Sequence, residues 1–353
     1  MSDQPGEKKI VYWADLIRVI AIFLVVVAHV SGQLTDIWAK TSNRQWLIAD
    51  VYGGIARVCV PLFFMISGYL LLPRSEDLKV FYSKRIPKIL IPLLVWSLIY
   101  LGWYCGTHAN TCTPSLVSDL LLVKGAYFHL WFLYSLLGIY LILPILQLIV
   151  RADPDKKLLW YFMLLWLLFG PILSLAHKLW NFDINLRAPL AGGFVGYFFL
   201  GYLLGEMTLT PPRVILSAVM WVLGTFVTIL GTYLFTHATG QFDGFFYDYV
   251  SIGVAFASPA AFILLRWLSE SNLFASHQTR EWMRVLAISA FGVYLIHVIV
   301  MEVLSDWIPS LHINSLMGNA IWSIPFVSAV VFVISFLIVR LLQKIPIVQQ
   351  IIP

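Results

Sequence analysis

The chain has 353 residues, 60% of them hydrophobic and 12% charged, with a mean hydropathy of +0.85. That is about half the ~25% charge of a soluble domain, which excludes a soluble globular enzyme. The net charge of +5 is spread over several loops rather than clustered, so it argues against a nucleic-acid partner.

Ten apolar runs read as membrane spans: 10–32, 51–73, 86–106, 130–150, 157–176, 189–207, 213–236, 247–268, 284–304 and 319–342. The expected fold is therefore all-α, one integral membrane bundle of about ten transmembrane helices over residues 1–353. The first run is too long for a cleavable signal peptide, and Asp15 and Arg18 interrupt it. Within it, Arg18 and His29 are eleven residues apart. Eleven steps of ~100° make about three turns, so the two share one helix face, roughly 16 Å apart along the axis. Ionisable residues inside a span are costly and are functional suspects by default.

Later spans carry fewer such groups. Span two holds Arg57, the apolar Cys59, and a Ser67-Gly68-Tyr69 step that reads as a close helix contact. Lys84, Arg85 and Lys88 open span three, and Cys105 and Cys112 bracket the loop that follows it. A disulfide is open to those two if the loop faces an oxidising compartment. His129 and Trp131 lie at the start of span four, Gly201 and Gly205 form a small-xxx-small pair in span six, and Tyr294 and His297 sit on span nine. Several spans carry a proline (Pro61, Pro92, Pro144, Pro171, Pro259, Pro325), which bundles tolerate where neighbours satisfy the freed carbonyl. Lys and Arg outside the spans favour the N-terminal side about threefold, which makes both termini cytoplasmic. No internal repeat is visible, which counts against a transporter built from two halves.

With that orientation, Asp15, Arg18, Lys84, Arg85 and Lys88 fall on the inner side, and His29, Arg57, His129 and His297 toward the outer side. Guanidinium and ammonium groups at one end suit a phosphate-like anion, and a histidine at the other suits a general base. A coenzyme A thioester has the matching shape, with phosphates at one end and an acyl group on a long arm. Each residue also has a structural reading. The three basic residues of span three read equally as positive-inside anchors. Asp15 reads as an i,i+3 partner that lowers the cost of burying Arg18, His129 as interfacial, and His297 as a hydrogen-bonded packing residue. His177, His237 and His312 read as solvated loop residues. The scattered histidines make no metal motif, and no P-loop or G-x-S-x-G elbow occurs.

Taken together, these residues resemble the membrane-bound acyltransferase-3 family, enzymes that acylate cell-surface glycans and related molecules. Arg18 with His29 matches its R-x10-H signature, Pro61–Leu71 (PLFFMISGYLL) its second-span block, and Arg85 with Lys88 its R-x-x-R pair. His129–Leu133 (HLWFL), Phe198–Gly205 (FFLGYLLG) and Ser289–His297 (SAFGVYLIH) resemble later blocks. The resemblance implies His29 as the catalytic base, Arg18 in the acyl-CoA site, and Arg85 and Lys88 on the cofactor's phosphates. Lys88 departs from the family's second arginine, replacing a bidentate fork by a point charge. Many members carry a fused periplasmic domain for which this sequence leaves no space.

The resulting expectation is an enzyme of the bacterial inner membrane, moving an acetyl group from cytoplasmic acetyl-CoA to a hydroxyl of a surface polysaccharide or its lipid-linked precursor, without a metal. Asp15, Arg57, His129, Trp131, Tyr294 and His297 are expected to support the site or bind substrate. Loops 33–49, 107–128, 177–188, 237–246 and 305–318 are expected to hold the glycan determinants. The rival expectation is a transporter or flippase of a glycan precursor, using the same buried Arg and His.

Overall fold

The computed structural model describes residues 11–108, 112–113, 125–180, 193–274, 276–307 and 312–352. Among them there are helices and turns but no strands. The helices are α1 (Tyr12–Thr35), α2 (Asn43–Ala56), α3 (Cys59–Leu71), α4 (Leu78–Arg85), α5 (Pro87–Thr107), α6 (Trp131–Ala152), α7 (Lys157–Leu167), α8 (Leu173–Trp180), α9 (Val195–Gly205), α10 (Pro211–Thr239), α11 (Ile252–Ser269), α12 (His277–Glu302) and α13 (Ala320–Leu342). Singly or as joined pairs, nine stretches of these are long and apolar enough to cross a bilayer, so the chain is a multi-pass membrane protein. The sixth expected span contains α9, 11 residues or about 16 Å of helix, beginning just after residues outside the description.

Several expected spans are jointed, and their prolines explain where. Span two begins at Asn43, eight residues earlier than expected, with Ser42 accepting the amide of Gln45 as N-cap. It breaks at Arg57–Val58 because Pro61 has no N–H to offer the Arg57 carbonyl four residues back. Span three is preceded by α4 and jointed at Ile86, the residue before Pro87, where helical continuation is disfavoured. Span five passes through a π-helical turn, Leu168–Ile172, that contains Pro171. His177 and His237, expected in loops, lie in α8 and α10; His237 faces Trp38 and Tyr233 and bonds to Asn43.

Helix α1 runs through the middle of the bundle, packed by α2, α3, α11, α12 and α13. This central place is why it carries Arg18 and His29 without exposing them to lipid. The outer helices show the opposite pattern: Leu216, Leu223 and Phe226 on α10 and Leu141, Ile145 and Leu148 on α6 are exposed, as lipid-facing residues are. Helices α3 and α9 cross at backbone contact. A Cβ on Gly68 would lie 2.0 Å from the Phe198 carbonyl oxygen, and one on Gly201 would lie 1.9 Å from that of Met65. Arg266 of α11 donates to the carbonyls of Leu204 and Met207, closing the C-terminal end of α9.

Candidate active site

Three cavities adjoin one another through shared wall residues, and α1 lines two of them. At the basic end, a cavity of about 630 Å³ is lined by Arg74, Lys84, Arg85 and Lys88, with Glu76 the acid among them. The Ile86–Pro87 joint makes this grouping, because it brings Arg85 from the last turn of α4 and Lys88 from the first turn of α5 onto one wall. Arg85 Nη2 donates to both carboxylate oxygens of Glu76, at 3.0 and 3.2 Å, and Glu76 lies 3.9 Å from Arg74. The Arg85 Nε is buried and makes no hydrogen bond. Asp15 and Arg18 pair at 2.7 Å, as their i,i+3 spacing suggests, leaving Arg18 partly exposed.

A narrower cavity of about 200 Å³ follows, and it shares Leu136 and Phe291 with the basic one. Arg18 and His29 both line it, so the stripe inferred from their spacing is one wall of a continuous space. Beyond His29 lies a third cavity of about 760 Å³, sharing Ala28, His29, Trp131 and Tyr249 with the second. Its wall includes Gln33, Asp36, Arg57, Tyr247 and Asp248. Trp131 stacks at 5.5 Å on Phe194, with Tyr249 a further 5.5 Å neighbour, so the wall offers broad aromatic faces between polar groups. The guanidinium of Arg57 sits 4.2 Å from the Tyr247 ring centroid, a cation–π contact made where the α2–α3 break leaves it.

His29 stands at the junction of the middle cavity and the one beyond it. Its ring lies 5.2 Å from those of Phe128 and His297, and neither of its nitrogens is hydrogen-bonded among the described residues. His129 is buried rather than interfacial, 5.5 Å from His297, and neither of its ring nitrogens makes a hydrogen bond of ordinary geometry. Tyr294 donates its hydroxyl to the His129 carbonyl at 2.6 Å. The turn before α6 is held from the other side by Glu302, which accepts from Tyr127 at 2.5 Å and Trp103 at 2.6 Å. Burial and this carboxylate push the Tyr127 phenol above its usual range, so it stays a donor. Tyr127 stacks on Tyr100, and Tyr100 meets the His129 ring edge-on at 4.7 Å.

Cys59 is free and buried, as expected, and Cys105 is bonded to Cys112 across 5.2 Å between Cα atoms. Among the described residues no group of three His, Cys, Asp or Glu side chains has the geometry for a metal ion. The ten residues singled out from sequence fall into two sets. Asp15, Arg18, Arg85 and Lys88 lie toward the basic end, and His29, Arg57, His129, Trp131, Tyr294 and His297 toward the other. Glu76, Tyr247 and Tyr249 escaped the sequence reading. Glu76 is nine residues from Arg85, in the connection that precedes α4 and outside any helical spacing. The tyrosines lie in or beside a short 3-10 turn with no periodicity to mark a buried face.

Two curated bacterial proteins share part of this sequence. An amino-acid racemase of Enterococcus faecalis is 30% identical over 125 residues, covering 34% of this chain and 16% of that protein. A serine/alanine racemase of Enterococcus gallinarum is 30% identical over 155 residues, covering 41% and 20%. The chain thus spans a fifth or less of the length of these relatives, and the racemase activity in their names is theirs. No solved structure matches. The sequence profile of the acyltransferase domain, in contrast, matches from residue 11 to residue 340, nearly the whole bundle including every residue of the three cavities, and the chain therefore belongs to the membrane-bound acyltransferase-3 family.

Proposed function

We propose that this membrane acyltransferase takes an acetyl group from cytoplasmic acetyl-CoA and transfers it to a hydroxyl of a cell-surface polysaccharide or of its lipid-linked precursor. The observation that carries the reading is the row of three cavities that share walls, basic at one end, with His29 between the other two. A thioester with phosphates at one end and an acyl group on a thin arm has that profile. Lys84, Arg85 and Lys88 would hold the phosphates, Arg18 the arm, and the wide aromatic and polar cavity beyond His29 suits a sugar. His29 removes the proton from the acceptor hydroxyl, and the oxygen attacks the thioester carbonyl carbon. When the carbon–sulfur bond breaks, the thiolate recovers the proton from the imidazolium. Because His29 borders both spaces, transfer needs no covalent carrier between donor and acceptor.

The test is thiol release from acetyl-CoA, and transfer of labelled acetyl to isolated surface glycan, by the purified protein in lipid nanodiscs. His29→Ala is expected to lose at least about 10²-fold in rate, the contribution of a positioned general base. Full activity in that variant would sink the assignment. The transporter reading makes a different prediction, movement of a glycan precursor across vesicles without any CoA thioester, and that result would replace the reading.

A further inference from the structure

His297 is absent from the linings of the middle and outer cavities, yet its ring stands beside that of His29. Its ring is fully buried, 5.2 Å from that of His29, with the planes at 37°. Its Nδ1 lies 2.7 Å from the Tyr294 carbonyl oxygen and 3.2 Å from that of Val293. Carbonyl oxygens only accept, so Nδ1 carries the proton and, in the neutral ring, Nε2 carries the lone pair. That Nε2 is buried and has no hydrogen-bond partner. The hydroxyl of Tyr294 is already engaged with the His129 carbonyl. His129 stands edge-on to His297 and farther away, at 5.5 Å and 81°. His29 is closer, half-buried, and keeps its two nitrogens free of other bonds.

We propose that His297 is a positioning residue whose Nε2 accepts the N–H of His29, turning the second nitrogen of His29 toward the acceptor hydroxyl. The inference rests on His29 being the base. Through the reaction no proton passes to His297. His29 gains the hydroxyl proton on its free nitrogen and later returns it to the thiolate, while its other N–H stays bonded to Nε2. The logic is that of a base oriented by a third group, here a neutral imidazole fixed in one tautomer by a helix carbonyl.

Two amides separate this role from packing. Asn at position 297 keeps a donor near the Nδ1 position but has nothing at Nε2, whereas Gln reaches the Nε2 position with an oxygen that accepts. With acetyl-CoA as the probe, His297→Asn is expected to lower kcat for thiol release about 10²-fold, with KM within about twofold of wild type, and His297→Gln to recover at least tenfold of that loss. Wild-type turnover in His297→Asn, or Gln no better than Asn, would overturn the proposal. Should neither variant fold, 15N histidine spectra of the wild-type protein decide the point, since a proton on Nε2 of His297 contradicts it. His29→Ala measured alongside keeps the two readings apart. If it stays active, the base assignment fails; if it is inactive while His297→Asn is not, only this inference fails.

Discussion

In the proposed reaction Arg85 would satisfy two partners in turn, Glu76 and a cofactor phosphate. Its guanidinium is tied through Nη2 to Glu76, and the planar fork of a guanidinium matches a phosphate. Removing it should cost the ~1.5–3 kcal/mol of a charge-assisted hydrogen bond, so Arg85→Ala is expected to raise KM for acetyl-CoA about 10- to 100-fold with a smaller effect on kcat. Glu76→Gln frees the fork and should lower KM a few-fold; a rise instead would mean that the carboxylate holds Arg85 in its binding position. Steady-state kinetics on the two variants measures both. Arg85 could be singled out from sequence, because a basic residue at a span entrance is conspicuous, but not the acid paired with it. Spacing arguments work along a helix face, and Glu76 lies in the α3–α4 connection, outside any helix, while Arg85 ends α4. The same limit hid Tyr247 and Tyr249, whereas Arg18 and His29 lie on one unbroken helix where eleven residues translate directly into a shared wall.

The helices themselves were legible because a bilayer demands long apolar runs, and each run has a helix at its place in the chain. Their joints were less so. Prolines were visible in the spans, yet only some interrupt a helix, as Pro171 does with its π-helical turn, and which ones do depends on whether a neighbour satisfies the freed carbonyl. Pro92, Pro144, Pro259 and Pro325 lie inside continuous helices, while Pro61 and Pro87 mark joints that set Arg57 and the basic cluster in place. The glycines divide in the same way, and packing decides. Gly201→Ala forces α9 off α3, and an overpacked contact of this kind should cost about 1–3 kcal/mol. Gly138→Ala in α6 meets nothing within 4 Å and should gain up to about 1 kcal/mol from helix propensity. Thermal unfolding in detergent, followed by tryptophan fluorescence, distinguishes them; equal midpoints would mean that the α3–α9 crossing gives way without cost. Because α3 also lines the middle cavity through Phe63 and Ser67, the Gly201 variant should lose activity in step with stability.

Over the whole molecule the proposed reaction depends on which way the bundle faces. Acetyl-CoA is a cytoplasmic metabolite too polar to cross the bilayer, so the basic cavity must open inward and the His29 end outward. The charge bias favours this direction, and Cys105–Cys112 supplies an independent handle, since it closes at the C-terminal end of α5, opposite the Lys88 end, and disulfides persist in oxidising compartments. In a Cys59→Ala background these two are the remaining cysteines of the chain. An impermeant maleimide added to spheroplasts is expected to leave them unlabelled, and to label both after an impermeant reductant. Labelling confined to inverted vesicles, without reduction, would put the basic cavity outside. Acetyl-CoA would then be unable to reach Arg85 and Lys88 from the cytoplasm, and the donor assignment would fall even if His29 proved essential. The orientation and the chemistry thus test each other: a protein that releases thiol from acetyl-CoA in nanodiscs, where both faces are open, but is inverted in the cell would require a different donor on the outer side.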